Sequence, residues 1–315
     1  MKNLRLVFMG TPEIARPALE ALVRAGHQVA LVITQPDRRA GRGRKLTRTP
    51  VAAAADRLGI EVWQPQGITQ AAERLAEVGA QAACVMAYGQ ILPPSVLDVF
   101  PLGCINLHTS LLPELRGAAP INWAIVRGLQ RTGVTTMFMD QGLDTGDIIL
   151  QEATELGPQE TAGSLARRLA QMGAGLLVRT LDLVSRGQAP RRPQDHQRAS
   201  YAPMMKKSDG QLDWSLPAPE LDCRVRGLDP WPSAFTSLQG KMLRLFAPTS
   251  LAPLEQAQPP GTILPPPPGQ EEFLWVATGQ GALGLGQVQA AGKRRMAAAD
   301  FLRGARPPAG TRLGS

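Results

Sequence analysis

The chain has 315 residues, enough for two domains that could each close a hydrophobic core. Apolar residues make up 43% and charged residues 19%, a globular balance, and no apolar run reaches the roughly 20 residues that a bilayer span requires. The formal net charge of +8 points toward an anionic partner such as nucleic acid, although a sequence this rich in Arg, Ala, Gly and Pro also carries basic excess for compositional reasons.

The opening MKNLRLVFMG lacks the longer apolar core and cleavage site of a signal peptide, so residues 4–9 are expected as the first strand of a cytoplasmic fold. Gly10 turns the chain. Thr11 is expected to cap a helix that has Pro12 at its first position and Ile14, Ala18, Leu22 and Ala25 at its apolar period. Residues 29–33 read as a second strand. Thr49-Pro50 opens a helix to about Leu58, and Thr69 is expected to cap another. Residues 82–87, 104–107, 134–139 and 147–150 read as short buried strands, and 162–186 as a long helix ended by Gly187. Strands alternating with helices predict a parallel α/β sheet with helices on both faces, whose ligands sit outside the strands' carboxyl ends. A polar, basic, proline-bearing stretch at 189–205 is expected as a linker between a domain at 1–188 and another at 206–315. In the latter, 213–214, 231–238, 241–246, 273–278 and 283–289 read as short strands. One helix at 220–226 interrupts them, and a proline-rich loop lies at 265–268, a pattern that predicts a small β-barrel. The three cysteines, Cys84, Cys104 and Cys223, are far apart and form no CxxC, so neither a zinc site nor a redox pair is implied.

Asn106 and His108 end the strand CINLH two residues apart, so in extended chain they share a face. Asp144 lies in the turn MDQGLDTGD after the next long strand. Two neighbouring carboxyl ends are expected to bring the three together. An amine attacking a carbonyl-type carbon builds negative charge on oxygen and sheds a proton. An amide NH2 can hold the oxyanion, an imidazole can move the proton or stabilise the charge, and a carboxylate can orient the imidazole. No serine or cysteine nucleophile stands out, which favours direct transfer. Each residue also has a plainer reading. The histidine serves as a structural strand end, and Asp144, with Asp140 and Asp147 near it, serves as a metal ligand or as part of an Asx-rich turn. His27 and His196 add no ligand set, so no metal is expected.

The run 103–113, GCINLHTSLLP, continued by RGAAPI at 116–121, closely resembles the signature of the folate-dependent formyltransferases, as does DQGLDTGD at 140–147. The resemblance extends over nearly the whole chain, through FMGTP at 8–12, QPDRRAGRGRK at 35–45, AYGQILP at 87–93, LDW at 212–214, DPWP at 229–232 and PGTI at 260–263. It implies a Rossmann-like catalytic domain followed by an OB-like β-barrel, with 10-formyltetrahydrofolate as donor and methionyl initiator tRNA as acceptor. A monomer without membrane attachment is expected, although nothing in the residues fixes the oligomeric state. The resemblance places Asn106, His108 and Asp144 on the family's catalytic positions and Ser110, Leu111, Leu112 and Pro113 on its folate-contacting turn. Met86, Tyr88, Ile91 and Leu92 fall in the wall of its pterin pocket, which meets the ring largely through backbone groups. Thr109 departs from the glycine common before the serine of that turn.

The catalytic residues do not choose the acceptor, because related enzymes formylate small amines and amino sugars with the same set. The segment 36–50 carries Arg38, Arg39, Arg42, Arg44, Lys45 and Arg48 against the single acid Asp37, with Gly41 and Gly43 between. By itself this is a solvated arginine loop. The resemblance aligns it with a loop used on the acceptor stem, with Arg42 as principal contact and Arg38, Arg44 and Lys45 beside it. A second basic set includes Lys206 and Lys207 near the linker, Arg191, Arg192 and Arg198 before them, and Lys241, Arg244, Lys293, Arg294, Arg295, Arg303 and Arg306 beyond. These predict phosphate contacts with steep salt dependence. Trp214 and Trp231 are the aromatic candidates for base stacking, but their apolar strand-like contexts favour core packing.

Overall fold

The computed structural model describes residues 3–40, 45–252, 258–308 and 310–314. The chain forms two compact units. The first takes Met1–Pro120, Thr132–Thr154 and Ala166–Pro203; the second takes Ile121–Arg131, Glu155–Leu165 and Met204–Ser315.

The first unit is built on strands β1 (Arg5–Gly10), β2 (Gln28–Ile33), a hairpin β3 (Arg38–Ala40) and β4 (Lys45–Thr47), β5 (Val62–Trp63), β6 (Ala82–Met86), β7 (Cys104–His108), β8 (Arg131–Phe138) and β9 (Ile148–Glu155). Its helices are α1 (Arg16–Arg24), α2 (Pro50–Arg57), α3 (Ala72–Glu77), α4 (Pro94–Leu97) and most of α6 (Ala162–Ser185); α5 (Pro120–Val126) falls almost wholly in the second unit. The main sheet has the order β5-β2-β1-β6-β7-β8-β9. From β5 to β7 every pairing is parallel. The chain winds outward from β1 through β2 to β5, then restarts at β6 on the other side. The carboxyl ends of β1 and β6 therefore flank a switch point, where a crevice opens. Gly10 ends β1 there; a Cβ on it would stand 2.9 Å from the Met86 carbonyl oxygen, so only glycine fits.

Two local expectations change. Thr49 caps α2 as predicted, accepting from the Ala52 amide at 3.3 Å. Thr11 caps nothing: a short 3-10 turn precedes α1, and the Thr11 hydroxyl donates to the Tyr88 carbonyl at 3.0 Å and accepts from the Gln35 amide at 3.1 Å. A hydroxyl that bridges three strand ends is not free to cap a helix. Thr69 does not cap α3 either, because Ala71 occupies that position without a side-chain bond.

The larger change is at β8, which runs antiparallel to β7, with Ile105 opposite Phe138 and His108 opposite Thr135. A parallel return needs a crossover long enough to run back along the sheet. The only helix in this connection is the seven-residue α5, and it clusters with the second unit. The carboxyl ends of β7 and β8 thus lie at opposite ends of their pairing. Strand periodicity still separates the two faces of β7. Leu107 meets α6, where Gly173 leaves room: a Cβ there would be 2.9 Å from the leucine. Thr136, paired with Leu107, shares a 2.7 Å hydrogen bond with Thr180 of the same helix. Asn106 and His108 face the other way.

Most of the stretch expected as a linker belongs to the first unit. Arg192 exchanges two backbone hydrogen bonds with Ile148, at 2.9 and 3.1 Å, and Arg116 bonds Ser200 and Ala202 in the same way, at 2.9 and 2.7 Å. Cys84 and Cys104 are buried in this core. Burial pushes the Cys84 thiol up and that of Cys104 up to about 12, so both are neutral thiols at neutral pH.

The second unit carries an antiparallel sheet of β10 (Ala234–Leu238), β11 (Lys241–Ala252), β14 (Ala282–Ala290), β13 (Leu274–Ala277) and β12 (Ile263–Leu264), in that order, with β15 (Met296–Ala297) paired to β14. Helices α7 (Ala218–Gly227) and α8 (Ala298–Ala305) complete it. This antiparallel half-barrel answers the small β-barrel expected from the short strands and the OB-like domain that the resemblance implies. The bend at 213–214 is not a strand. Trp214 is buried there, donating to the Thr236 hydroxyl at 3.1 Å, whereas Trp231 is 51% exposed. The core-packing expectation therefore holds for the first and fails for the second, because 229–233 is a turn ahead of β10 rather than part of it. No described helix is long and apolar enough to cross a membrane.

Candidate active site

Asn106, His108 and Asp144 meet on the face of β7 that α6 leaves free. They do not meet through two adjoining strand ends, as the sequence suggested. Instead the loop 139–147 leaves β8 near Cys104, where the Met139 amide bonds the Cys104 carbonyl at 2.8 Å, and doubles back over β7. Asn106 Nδ2 donates to Asp144 Oδ1 at 3.3 Å, and His108 Nδ1 lies 3.7 Å from Asp144 Oδ2. Asp144 Oδ2 also accepts the Gly117 amide at 2.8 Å. His108 Nε2 is 3.0 Å from the Leu115 carbonyl, an atom that can only accept, so Nε2 carries a proton and Nδ1 is the nitrogen facing the carboxylate. With an acceptor opposite each ring nitrogen, the pocket can satisfy a doubly protonated imidazole. Asn106 has one N–H committed to Asp144 and a second left to donate.

The loop is shaped for this. Asp144 adopts a left-handed backbone with φ 55°. Gly146 passes so close to β8 that a Cβ would sit 1.8 Å from the Phe138 carbonyl oxygen. Asp140 is not a partner of Asp144: its Oδ1 accepts the Gly142 amide at 3.0 Å and the Thr145 hydroxyl at 2.6 Å, the Asx-type turn among the alternatives. Asp147 lies 3.8 Å from Arg191. Among the described residues no group of three His, Cys, Asp or Glu side chains could hold a metal ion.

The turn after β7 is equally fixed. The Thr135 hydroxyl donates to the Ser110 carbonyl at 2.7 Å and accepts the Leu112 amide at 3.2 Å, while Gln151 Nε2 donates to the Leu112 carbonyl at 2.8 Å. Ser110 and Leu112 are buried, and the Ser110 hydroxyl is spent on the Glu114 carbonyl at 2.6 Å. Leu111 and Pro113 are part-exposed. Across the rim, Met86, Tyr88 and Leu92 are buried as backing, and burial pushes the Tyr88 phenol up to about 12. The surface open to a ligand there is the exposed Ala87 and Gly89, with φ 49° and 90°, and the 79% exposed Ile91.

The basic segment 36–50 is a short hairpin rather than a loop, pairing Arg38 with Thr47 and Arg39 with Leu46. Arg38, Arg39 and Lys45 are exposed on it; Arg42 and Arg44 lie outside the described residues. Arg48 holds its base instead of projecting. Its guanidinium binds both Asp56 carboxylate oxygens at 2.9 Å and Gln64 Oε1 at 2.7 Å. Lys206 and Lys207 are exposed in the second unit. Sequence reasoning missed Leu115 and Gly117 as backbone partners, and Thr135, Gln151, Arg116 and Gln194 as supports. Only Arg116 and Gly117 sat in a motif that drew attention.

Residues 4–181 match the family model described as formyl transferase, and residues 204–306 match that of the formyl transferase C-terminal domain. A methionyl-tRNA formyltransferase of Solibacter usitatus is 49% identical over 99% of this chain and 99% of its own. One of Syntrophus aciditrophicus is 49% identical over the full length of both. Among solved structures, HypX from Aquifex aeolicus in complex with tetrahydrofolic acid superposes with a TM-score of 0.66 at 17% identity, over 96% of this chain and 47% of that one. An N-formyltransferase of Helicobacter canadensis, with folinic acid and dTDP-3-aminofucose, gives 0.66 at 18% over 90% and 99%. At such identities the structural matches speak for the fold.

Proposed function

The chain belongs to the formyl transferase family and, within it, to the methionyl-tRNA formyltransferases; on that premise we propose that it takes the formyl group of 10-formyltetrahydrofolate and places it on the α-amine of methionyl initiator tRNA. The observation that carries the chemistry is the cluster of Asn106, His108 and Asp144 on one face of β7.

The methionyl amine attacks the formyl carbon, and the carbonyl electron pair moves onto oxygen. The free N–H of Asn106 donates to that oxyanion. The proton shed by the amine passes to Nδ1 of a neutral His108, and the imidazolium so formed, opposite Asp144 Oδ2, adds charge stabilisation. Collapse restores the carbonyl, breaks the bond from carbon to N10, and returns a proton to N10. The folate lies along the rim between the 110–113 turn and the 86–92 wall. Arg38, Arg42, Arg44 and Lys45 of the segment 36–50, with Lys206 and Lys207, hold tRNA phosphates. One chain supplies all these residues, so the proposed site needs no second copy to complete it. Three unpaired cysteines suit the reducing cytoplasm.

The test is direct. The purified protein, 10-formyltetrahydrofolate and methionyl initiator tRNA should yield N-formylmethionyl-tRNA, read as formylmethionine after deacylation. Transfer to a nucleotide amino sugar with none to the tRNA would overturn the acceptor assignment.

A further inference from the structure

We propose that Gln194, locked by the buried Arg116, is a positioning residue for the reaction: it holds the Asp144 loop over Asn106 and His108. The proposal rests on the catalytic reading of Asp144 given above.

Gln194 is 6% exposed and lies in the segment whose composition predicts a linker. Its Nε2 donates to two carbonyls of the catalytic loop, that of Asp144 at 2.9 Å and that of Gly146 at 2.8 Å. Its Oε1 accepts from Arg116 Nε at 3.2 Å and Nη2 at 2.6 Å. A guanidinium only donates and a carbonyl only accepts, so the amide has one orientation here, with every polar atom used. Glutamine alone supplies two donors and an acceptor at this reach. Glutamate lacks the donors, and asparagine is one methylene short.

Arg116 is itself 6% exposed, and its Nη2 also meets His196 Nδ1 at 3.3 Å. Its chain neighbours are the two backbone partners of the cluster: the Leu115 carbonyl, which fixes the His108 tautomer, and the Gly117 amide, which binds Asp144 Oδ2. One amide–guanidinium contact therefore ties the loop that bears the carboxylate to the segment that orients both the imidazole and the carboxylate. The support is anchored on each side of Gln194 by the backbone pairs of Arg192 with Ile148 and of Ser200 and Ala202 with Arg116. Asp144 benefits from such a hold, because its backbone is left-handed, φ 55°, a conformation that residues other than glycine take mainly where local hydrogen bonds support it. Gln194 captures its carbonyl while Asn106 and Gly117 capture its carboxylate.

The experiment measures steady-state formylation of methionyl-tRNA by Gln194→Leu, Gln194→Glu, Asp144→Asn and the double variant Gln194→Leu/Asp144→Asn. Asp144→Asn is the control for the site: if it turns over normally, the catalytic reading fails, and not this inference alone. With that control slow, each Gln194 variant should lose kcat on the order of 10–100-fold, with KM for folate and for tRNA within about twofold. Gln194→Glu keeps the acceptor for Arg116 and loses the donors to the two loop carbonyls, so it should be as slow as Gln194→Leu while remaining folded at the assay temperature. The double variant should be no slower than Asp144→Asn, because Gln194 acts through that carboxylate. Wild-type turnover in Gln194→Glu, a loss that multiplies in the double variant, or a loss confined to KM would overturn the proposal.

Discussion

The cluster on β7 and the basic hairpin at 38–47, both assigned by proposal to one reaction, are built in opposite ways. In the cluster, polar atoms have assigned partners. Asp144 takes bonds from Asn106 and Gly117, and His108 stands between Leu115 and Asp144, with Asn106 and His108 9% and 7% exposed. On the hairpin, Arg38, Arg39 and Lys45 are exposed, and Arg48 at its base, bound to Asp56 and Gln64, acts as its foundation. Burial makes the first a matter of angle and distance, where an unpaired group is costly. Exposure makes the second a matter of charge count, screened by salt. Substitutions in the cluster should therefore act on kcat with little regard to ionic strength, and those on the hairpin on KM for tRNA with a strong regard to it.

The largest effect should come from Asp144→Asn. Asparagine tolerates the left-handed backbone, so the loop persists while the charge opposite His108 disappears. Turnover should fall by about 10²–10⁴-fold with tRNA affinity retained, measured by single-turnover formylation beside a filter-binding assay. Asn106→Ala should come next, at about 10²–10³-fold in kcat, the usual loss for one oxyanion donor. Near-normal turnover in that variant would remove the oxyanion role. Equal losses in KM for tRNA would erase the contrast between the two regions.

In the basic segment 36–50, Arg42→Ala and the pair Arg38→Ala/Lys45→Ala should each lower kcat/KM for tRNA about tenfold at low salt and leave folate binding intact. Each phosphate-binding cation removed should reduce the slope of log affinity against log salt by about one unit. Arg48→Ala is the control that sharpens the contrast. Its partners are Asp56 and Gln64, so it should lower the melting temperature slightly and leave the salt slope unchanged. A hairpin series with an unaltered slope would assign these cations to the solvent.

The two regions also differ in how far the sequence discloses them. The i, i+2 spacing of Asn106 and His108 on an apolar strand holds in the structure, because strand alternation is local. The position of Asp144 is not local: it depends on β8 running antiparallel and on a loop that doubles back, and neither fact is written in the spacing of residues 140–147. Gln194 was hidden for the same reason, since a buried glutamine in a polar, proline-bearing stretch has the composition of a linker. The parallel pairing of β1, β2 and β6 was legible from the alternation of apolar strands and helices, but the strand order that puts the switch point between β1 and β6 was not. The basic residues were legible only as a count. Arg48 is the foundation of its hairpin, and Arg295 is turned toward Asp229 at 3.2 Å and stacked 3.9 Å over Phe246, so charge in the sequence overstates charge available to RNA.

The smallest expected effect concerns Trp231, the one large aromatic whose apolar context misled. The turn that carries it is braced. The Ser233 amide bonds the Leu228 carbonyl at 2.9 Å, the Ser233 hydroxyl bonds the Pro230 carbonyl at 2.7 Å, and Asn122 Nδ2 donates to the Trp231 carbonyl at 3.3 Å. A half-exposed indole on a fixed turn is a ready stacking platform, and stacking on an unpaired base contributes about 1–3 kcal/mol when the ring is fully engaged. Trp231→Ala should raise KM for tRNA severalfold and leave kcat and folate binding alone. The melting temperature should move little, because the exposed ring adds little to the core. Phenylalanine at this position should restore most of the affinity, while leucine, apolar but without a π face, should not. A leucine variant as good as wild type would make Trp231 an ordinary exposed apolar residue and leave tRNA binding in the second unit to charge alone.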